Sequence, residues 1–253
     1  MALKAAAILP ARLNSTRLAR KMLLADTGRT LIEHSARNAL SSGLFDRVAV
    51  ATDSEEILEA LAAAGIEAVI TRADHPSGTD RVLEAARALG LTGFDVLVNV
   101  QGDEPELARE DLAGLVAAFA EPGVEIATLC SAIGTADERD SPQVVKVVRD
   151  ARGDALYFSR APIPCAVHAR DRAALSAGVR RHVGVYAFRP GALERFCALP
   201  VAALERIENL EQLRWLEAGG RIRVLDAARR SLGIDTRSEY DAFVARWRAR
   251  AQS

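Results

Sequence analysis

The chain has little lysine, few cysteines, few aromatic residues and no long apolar run, and each shortage narrows what it can be. Apolar runs such as Ala5–Leu9 and Val96–Val98 are far too short to span a bilayer, so no membrane insertion is expected. The N-terminus has no extended apolar segment of the secretory kind, which makes the cytoplasm the expected location. Cys130, Cys165 and Cys197 show neither Cys-x-x-Cys spacing nor a matching histidine cluster. A zinc site and a disulfide framework are therefore not indicated; the three read as small apolar filler in a reducing compartment. A net charge of −1 supplies no global field to recruit nucleic acid. Of 33 basic residues only Lys4, Lys21 and Lys146 are lysine. Arginine is the default cation here, so an interior lysine stands out as a compact charge on a flexible stem.

What is present is a core: 49% of the 253 residues are hydrophobic, without repeats or a low-complexity linker. Lys4–Leu9, Arg47–Ala51, Glu67–Thr71 and Asp95–Val100 are strand candidates with continuous rather than alternating apolar character. Helices are expected near Leu31–Leu40, Glu55–Ala64, Thr79–Leu89 and Arg109–Phe119. Asp53 or Ser54 offers a cap for the second helix, and Ser77 or Thr79 for the third. This rhythm predicts an α/β fold with a mostly parallel sheet covered by helices on both faces. After Glu121-Pro122-Gly123 it loosens: Ile126–Ser131, Val144–Val148 and Val183–Phe188 read as strands, Ala202–Glu217 as one strong helix and Ser238–Arg250 as the last. One domain spanning 1–253, a sheet extended by mixed strands with a small β-rich lobe, fits better than two domains.

Ligands in open α/β sheets sit beyond the carboxyl ends of the strands, so the loops after Leu9, Ala51, Thr71 and Val100 matter most. The first, Pro10 to Lys21, carries Arg12, Arg17, Arg20 and Lys21 with Ser15 and Thr16. Forks, point charges and hydroxyls directly after a buried strand suit a polyphosphate, although the loop lacks the Walker pattern. After the fourth strand comes Gln101-Gly102-Asp103-Glu104-Pro105. Gly102 would let backbone approach a ligand and Asp103 would reach a divalent ion, while a cap for the next helix is the ordinary alternative. The loop from Thr71 to Arg81 is polar, and its His75 reads as a surface or base-contacting residue. Glu208, Glu211 and Gln212 read, on helical spacing alone, as a solvated face.

Taken in order, PARLNSTRL, ATDSEEI, TRADHPSGTDR, VNVQGDEPE, VKVV, ALYFSRAPIP, RHVGVYAFR, LERIENLEQLR and GIDT resemble the bacterial CMP-KDO synthetases, the 3-deoxy-manno-octulosonate cytidylyltransferases, over almost the whole chain. The resemblance implies a Rossmann-like nucleotide-diphospho-sugar transferase fold with a small β-rich dimerisation lobe, a homodimer and a Mg²⁺-dependent reaction. Its substrates would be CTP and an acidic keto-sugar, giving CMP-KDO and pyrophosphate for lipopolysaccharide precursor synthesis.

By position, Arg12, Ser15, Arg17 and Lys21 match the triphosphate loop, and Arg72, Ala73, Asp74, Ser77 and Gly78 the cytidine pocket. Gln101 falls between nucleotide and sugar. Asp103 and Asp235 match the metal-holding carboxylates, making them catalytic with Lys21. Arg160, His182, Tyr186, Glu211 and Gln212 fall where the family contacts the acceptor. The usual Pro-Gly-Lys-Pro of the first loop has become Ala19-Arg20-Lys21-Met22, and Cys165 stands where relatives tend to carry an aromatic. The rival readings are activation of sialate or an amino-substituted KDO, and, from another class, a metal-dependent glycosyltransferase. The last would call for Asp-x-Asp after the fourth strand, where this chain has Asp103-Glu104-Pro105.

Overall fold

Ala5–Ala11 is buried at every position but Pro10, and that is possible only for a strand with helices on both faces. In the computed structural model, which describes residues 3–15, 17–165, 178–231 and 233–251, this segment is strand β1. Thr16 of the first loop lies outside the described residues. β1 pairs in parallel with β2 (Arg47–Thr52) and β4 (Val96–Asn99), and β2 with β3 (Ala68–Ile70). Strand β8 (Arg180–Phe188) runs antiparallel between β4 and β5 (Ile126–Ala132), and β9 (Arg223–Asp226) closes the row beside β5. The order is β3-β2-β1-β4-β8-β5-β9, with β6 (Lys146–Arg149) and β7 (Ala155–Ser159) branching from β8 as the β-rich lobe. The sheet is mixed and mostly parallel, as the apolar runs predict.

Alternate residues of β1 serve opposite faces. Ala5, Ala7 and Leu9 pack with Ile32 and Ala36 of α1 (Leu31–Ser41), Ile57 and Leu61 of α2 (Glu55–Ala63), and Leu112 and Leu115 of α4 (Arg109–Ala117). Ala6 and Ile8 pack with Val82 and Ala85 of α3 (Gly78–Ala88). The same face takes Phe196 from α6 (Pro190–Ala198), which follows the short helix α5 (Ala136–Asp140). Burying each of the valine, leucine, isoleucine and phenylalanine side chains contributes about 1.5–3 kcal/mol. Thr30, Ser54 and Ser77 cap α1, α2 and α3, the last accepting from the N–H groups of Thr79 and Asp80. Each of β1, β2, β3 and β4 leads into a helix, and the parallel pairing leaves their carboxyl ends on one rim.

The segment Ala202–Glu217 departs from the expected single helix. It forms two short ones, α7 (Ala203–Glu208) and α8 (Leu213–Glu217). Asn209 breaks them in the left-handed region at φ 52°, which asparagine tolerates better than most residues. A buried ion pair, Arg214 Nε to Glu205 Oε2 at 2.8 Å, ties the two pieces together. The break turns Glu211 and Gln212 inward instead of leaving them on a solvated face. The last helix, α9 (Arg237–Ala251), closes over Leu31 through Tyr240, Phe243 and Val244.

Candidate active site

Lys21 begins a short 3₁₀ turn, Lys21–Leu23, and its side chain is 7% exposed. The residue before it, Arg20, sits at φ 54°, a left-handed conformation in which an L side chain costs about 1–2 kcal/mol. The loop therefore keeps a backbone shape suited to glycine although arginine stands there. Arg20 meets Glu56 of α2 in an exposed ion pair.

Lys21 Nζ donates to Asp103 Oδ2 at 2.6 Å and to Asp235 Oδ1 at 3.0 Å. Arg17 reaches the same Asp235 oxygen at 2.9 Å. Asp103 and Asp235 lie 132 positions apart in the chain, and the backbone brings them together: Ile234 N–H donates to the Asp103 carbonyl at 3.0 Å. Two cations and two carboxylates balance in charge. Burial pulls the Lys21 ammonium toward neutrality, but Asp103 and Asp235 outweigh it and hold the pKa above its ordinary value. Behind them Glu104 accepts from Ser231, and burial pushes its pKa to about 7.

Asp103 and Glu104 do not cap the next helix, whose N-cap is Ala108. Packing alone already requires glycine at position 102. A methyl group there would come within 3.0 Å of Ile32 Cδ1 and 3.1 Å of both Met22 Sδ and the Pro10 carbonyl.

The first and third loops meet where Arg12 donates to the His75 carbonyl at 2.7 Å. Ser15 of the first loop is half-buried, and a methyl group on Gly78 would lie 3.4 Å from Pro10 Cγ. Arg72, Ala73 and Asp74 are exposed on the rim, with Arg72 and Asp74 paired at 3.1 Å. His75 is buried and bonded to Glu84, which corrects its reading as a surface residue. Under this loop lies a group the sequence left unassigned: Arg81, 0% exposed, donates to Thr71 Oγ1 at 2.6 Å and Asp53 Oδ2 at 2.9 Å. Its only sequence signal was a charged residue on the inward face of α3.

A second group gathers around β8. Tyr186 lies opposite Asn99 of β4, whose side chain contacts Gln101, and His182 Nε2 meets Thr128 Oγ1 at 3.0 Å. Burial pushes the His182 pKa down to about 3, so its imidazole is neutral. Thr79 donates to Glu211 Oε1 at 2.5 Å, and burial raises the Glu211 pKa. Three enclosed atoms here, Tyr186 Oη, Glu211 Oε2 and Gln212 Nε2, have no hydrogen-bond partner among the described residues. Orphaned buried donors and acceptors are costly, and a hydroxyl-rich ligand would satisfy them.

Arg160, at the end of β7, donates through Nε, NH1 and NH2 to the carbonyls of Glu208, Pro142 and Asn209 at 2.8, 3.0 and 3.4 Å. Among the described residues no carboxylate pairs with its guanidinium, so its charge is held in place without being neutralised.

The sequence-predicted residues thus form two adjoining clusters, a cationic loop set with paired carboxylates and a polar set on β8 and the Glu208–Gln212 turn. Among the described residues no helix is long and apolar enough to cross a membrane. A model of the cytidylyltransferase family matches residues 6–222. The chain is 48% identical over 240 residues to a 3-deoxy-manno-octulosonate cytidylyltransferase of Xanthobacter autotrophicus, covering 92% of this chain and 90% of that one. It is 49% identical over 238 residues to the enzyme of the same name from an Anaeromyxobacter species, covering 94% of each. A solved CMP:2-keto-3-deoxy-manno-octonic acid synthetase complexed with CTP superposes with a TM-score of 0.89 at 39% identity, covering 98% of this chain and 99% of the other. The chain belongs to the 3-deoxy-manno-octulosonate cytidylyltransferase family.

Proposed function

We infer that this chain transfers CMP from CTP to 3-deoxy-manno-octulosonate, releasing pyrophosphate. One observation carries the reading: the cationic first loop and the Asp103–Asp235 pair converge in a chain 39% identical, over 98% of its length, to a synthetase solved with CTP. The acceptor's anomeric hydroxyl attacks the α-phosphorus of CTP. The new P–O bond forms as the α–β anhydride bond breaks, the electron pair of that bond leaves with pyrophosphate, and the hydroxyl proton passes to solvent.

Arg12, Arg17 and Lys21 offset the charge of the triphosphate and then of the leaving group, and the raised pKa keeps Lys21 an ammonium throughout. Ser15 lines the same loop. Arg72, Ala73, Asp74, Ser77 and Gly78 hold the cytidine, and Gln101 lies between the two substrates. Arg160 meets the acceptor carboxylate, while His182, Tyr186, Glu211 and Gln212 take its hydroxyls and fix its orientation. Magnesium is the proposed cofactor, with Asp103 and Asp235 as its protein ligands. The donor set fits, because two converging carboxylates already share one cation and magnesium commonly takes one or two carboxylates plus substrate phosphates. When bound it would polarise the α-phosphate.

Pyrophosphate release measured with CTP plus KDO, against CTP plus sialate or 8-amino-KDO, tests the acceptor. KDO is expected to give the highest kcat/KM; preference for sialate would sink the assignment. The reaction belongs to lipopolysaccharide precursor synthesis in the cytoplasm.

A homodimer through the β-rich lobe is supported by Leu156 of β7 and Ile207 of α7, 63% and 78% exposed, with Val201 and Leu204 nearby in sequence. Light scattering at micromolar concentration should return twice the 27.1 kDa chain mass. A monomer would refute the pairing.

A further inference from the structure

Two of the three lysines have evident places. Lys4 lies over the Phe94 ring at 4.3 Å, and Lys21 serves the paired carboxylates. Lys146, on β6, is 0% exposed and belongs to neither cluster. Its ammonium donates to the carbonyls of Ser141 at 2.9 Å, Val144 at 2.7 Å and Arg160 at 2.5 Å, three acceptors for three N–H groups. Among the described residues it forms no ion pair. Burial lowers its pKa, Asp140 and Glu208 act in the opposite sense, and Arg160 adds to the lowering.

A buried charge without a counterion is costly, and an apolar side chain of that length would fill the space without the penalty. What the ammonium provides is geometry. Two of its carbonyls bracket the turn 141–144, whose Pro142 carbonyl receives the Arg160 guanidinium. The third is the carbonyl of Arg160 itself. Lys146 therefore fastens both sides of the contact that aims the guanidinium. The same strand fixes a neighbour as well, since His182 N–H donates to the Val145 carbonyl at 2.9 Å.

We propose that Lys146 is a positioning residue for acceptor binding, holding the 141–144 turn and the Arg160 backbone so that the Arg160 guanidinium faces the carboxylate of the keto-sugar. The assignment rests on the reading that Arg160 meets that carboxylate.

The test is steady-state titration of KDO at saturating CTP, paired with calorimetry of CTP binding, for Lys146→Met, Lys146→Gln, Pro142→Gly and Arg160→Ala. Lys146→Met should raise the KM for KDO about tenfold, the loss expected when a charge-assisted hydrogen bond loses its geometry, with CTP affinity within about twofold of the parent. Lys146→Gln keeps an amide donor for the carbonyls and should fall between the two. Pro142 is exposed, so Pro142→Gly loosens the turn without touching the core and decides the matter should Lys146→Met not fold. It too should raise the KM for KDO alone.

If Arg160→Ala weakens KDO use while neither Lys146→Met nor Pro142→Gly does, or if Lys146→Met weakens CTP and KDO equally, the positioning role is wrong. If Arg160→Ala itself leaves the KM for KDO unchanged, the reading of Arg160 falls first and the proposal with it.

Discussion

Asp103→Asn and Asp235→Asn should each lower turnover by on the order of a hundredfold or more, equivalent to about 2.7 kcal/mol or more of transition-state stabilisation. Each substitution keeps the side chain's size and one carbonyl acceptor but removes a negative charge from the pair proposed to hold magnesium beside the triphosphate. The fold should survive. Lys21 would still donate to the remaining carboxylate, and the Ile234-to-Asp103 backbone bond that joins the two segments is untouched. The free site is balanced, with Arg17 and Lys21 against Asp103 and Asp235, and one neutralised acid leaves a surplus positive charge. That surplus favours CTP binding even as it weakens metal binding. The expected signature is therefore a split: CTP affinity held or tightened, turnover lost, and the magnesium requirement raised. Near-parental turnover by either variant at limiting magnesium would remove that carboxylate from the metal site.

The carboxylate pair was legible because family motifs mark both members, yet its geometry was not. Nothing local in Gly102-Asp103-Glu104 or Gly233-Ile234-Asp235 says that the two backbones dock. The parallel sheet was readable for a simpler reason: Ala5–Leu9 and Val96–Val98 are apolar on both alternating faces, and only a strand covered twice needs that. Arg223–Asp226, by contrast, holds only Val224 and Leu225 between two charged residues and carried too little signal to mark β9. The apolar stripe of Ala202–Glu217 runs through Asn209 without interruption, so periodicity alone extended one helix across the break; the asparagine was the missed stop signal. The errors of the site reading share a cause. His75, Glu208 and Glu211 are polar residues at positions consistent with a solvated face, but partners distant in sequence bury or engage them: Glu84, Ser159 with Arg160, and Thr79. Arg81 and Lys146 were invisible as interior residues because a charge is buried only when tertiary partners are supplied, here Asp53 and Thr71 for one and three carbonyls for the other.

Arg160→Ala should impair use of the sugar far more than binding of CTP. The guanidinium has five N–H groups, of which the three contacts to Glu208, Pro142 and Asn209 carbonyls use one on each nitrogen. One N–H remains on NH1 and one on NH2, the fork that matches a carboxylate in two parallel hydrogen bonds. The three carbonyls hold the fork still while leaving its charge uncancelled, so little ordering remains to be done when the acceptor arrives. On the proposed acceptor role, deleting it leaves the sugar's carboxylate without its cation. The cost should be about 2–5 kcal/mol, which raises the KM for KDO by roughly thirtyfold to several thousandfold. Lysine at this position restores charge but not the planar fork, and any N–H spent on the three carbonyls is lost to the carboxylate, so it should rescue only partly. Calorimetry of CTP binding beside steady-state titration of KDO separates the substrates. Weakened CTP affinity with an unchanged sugar requirement would move Arg160 out of the acceptor pocket and reassign its uncancelled charge to the nucleotide.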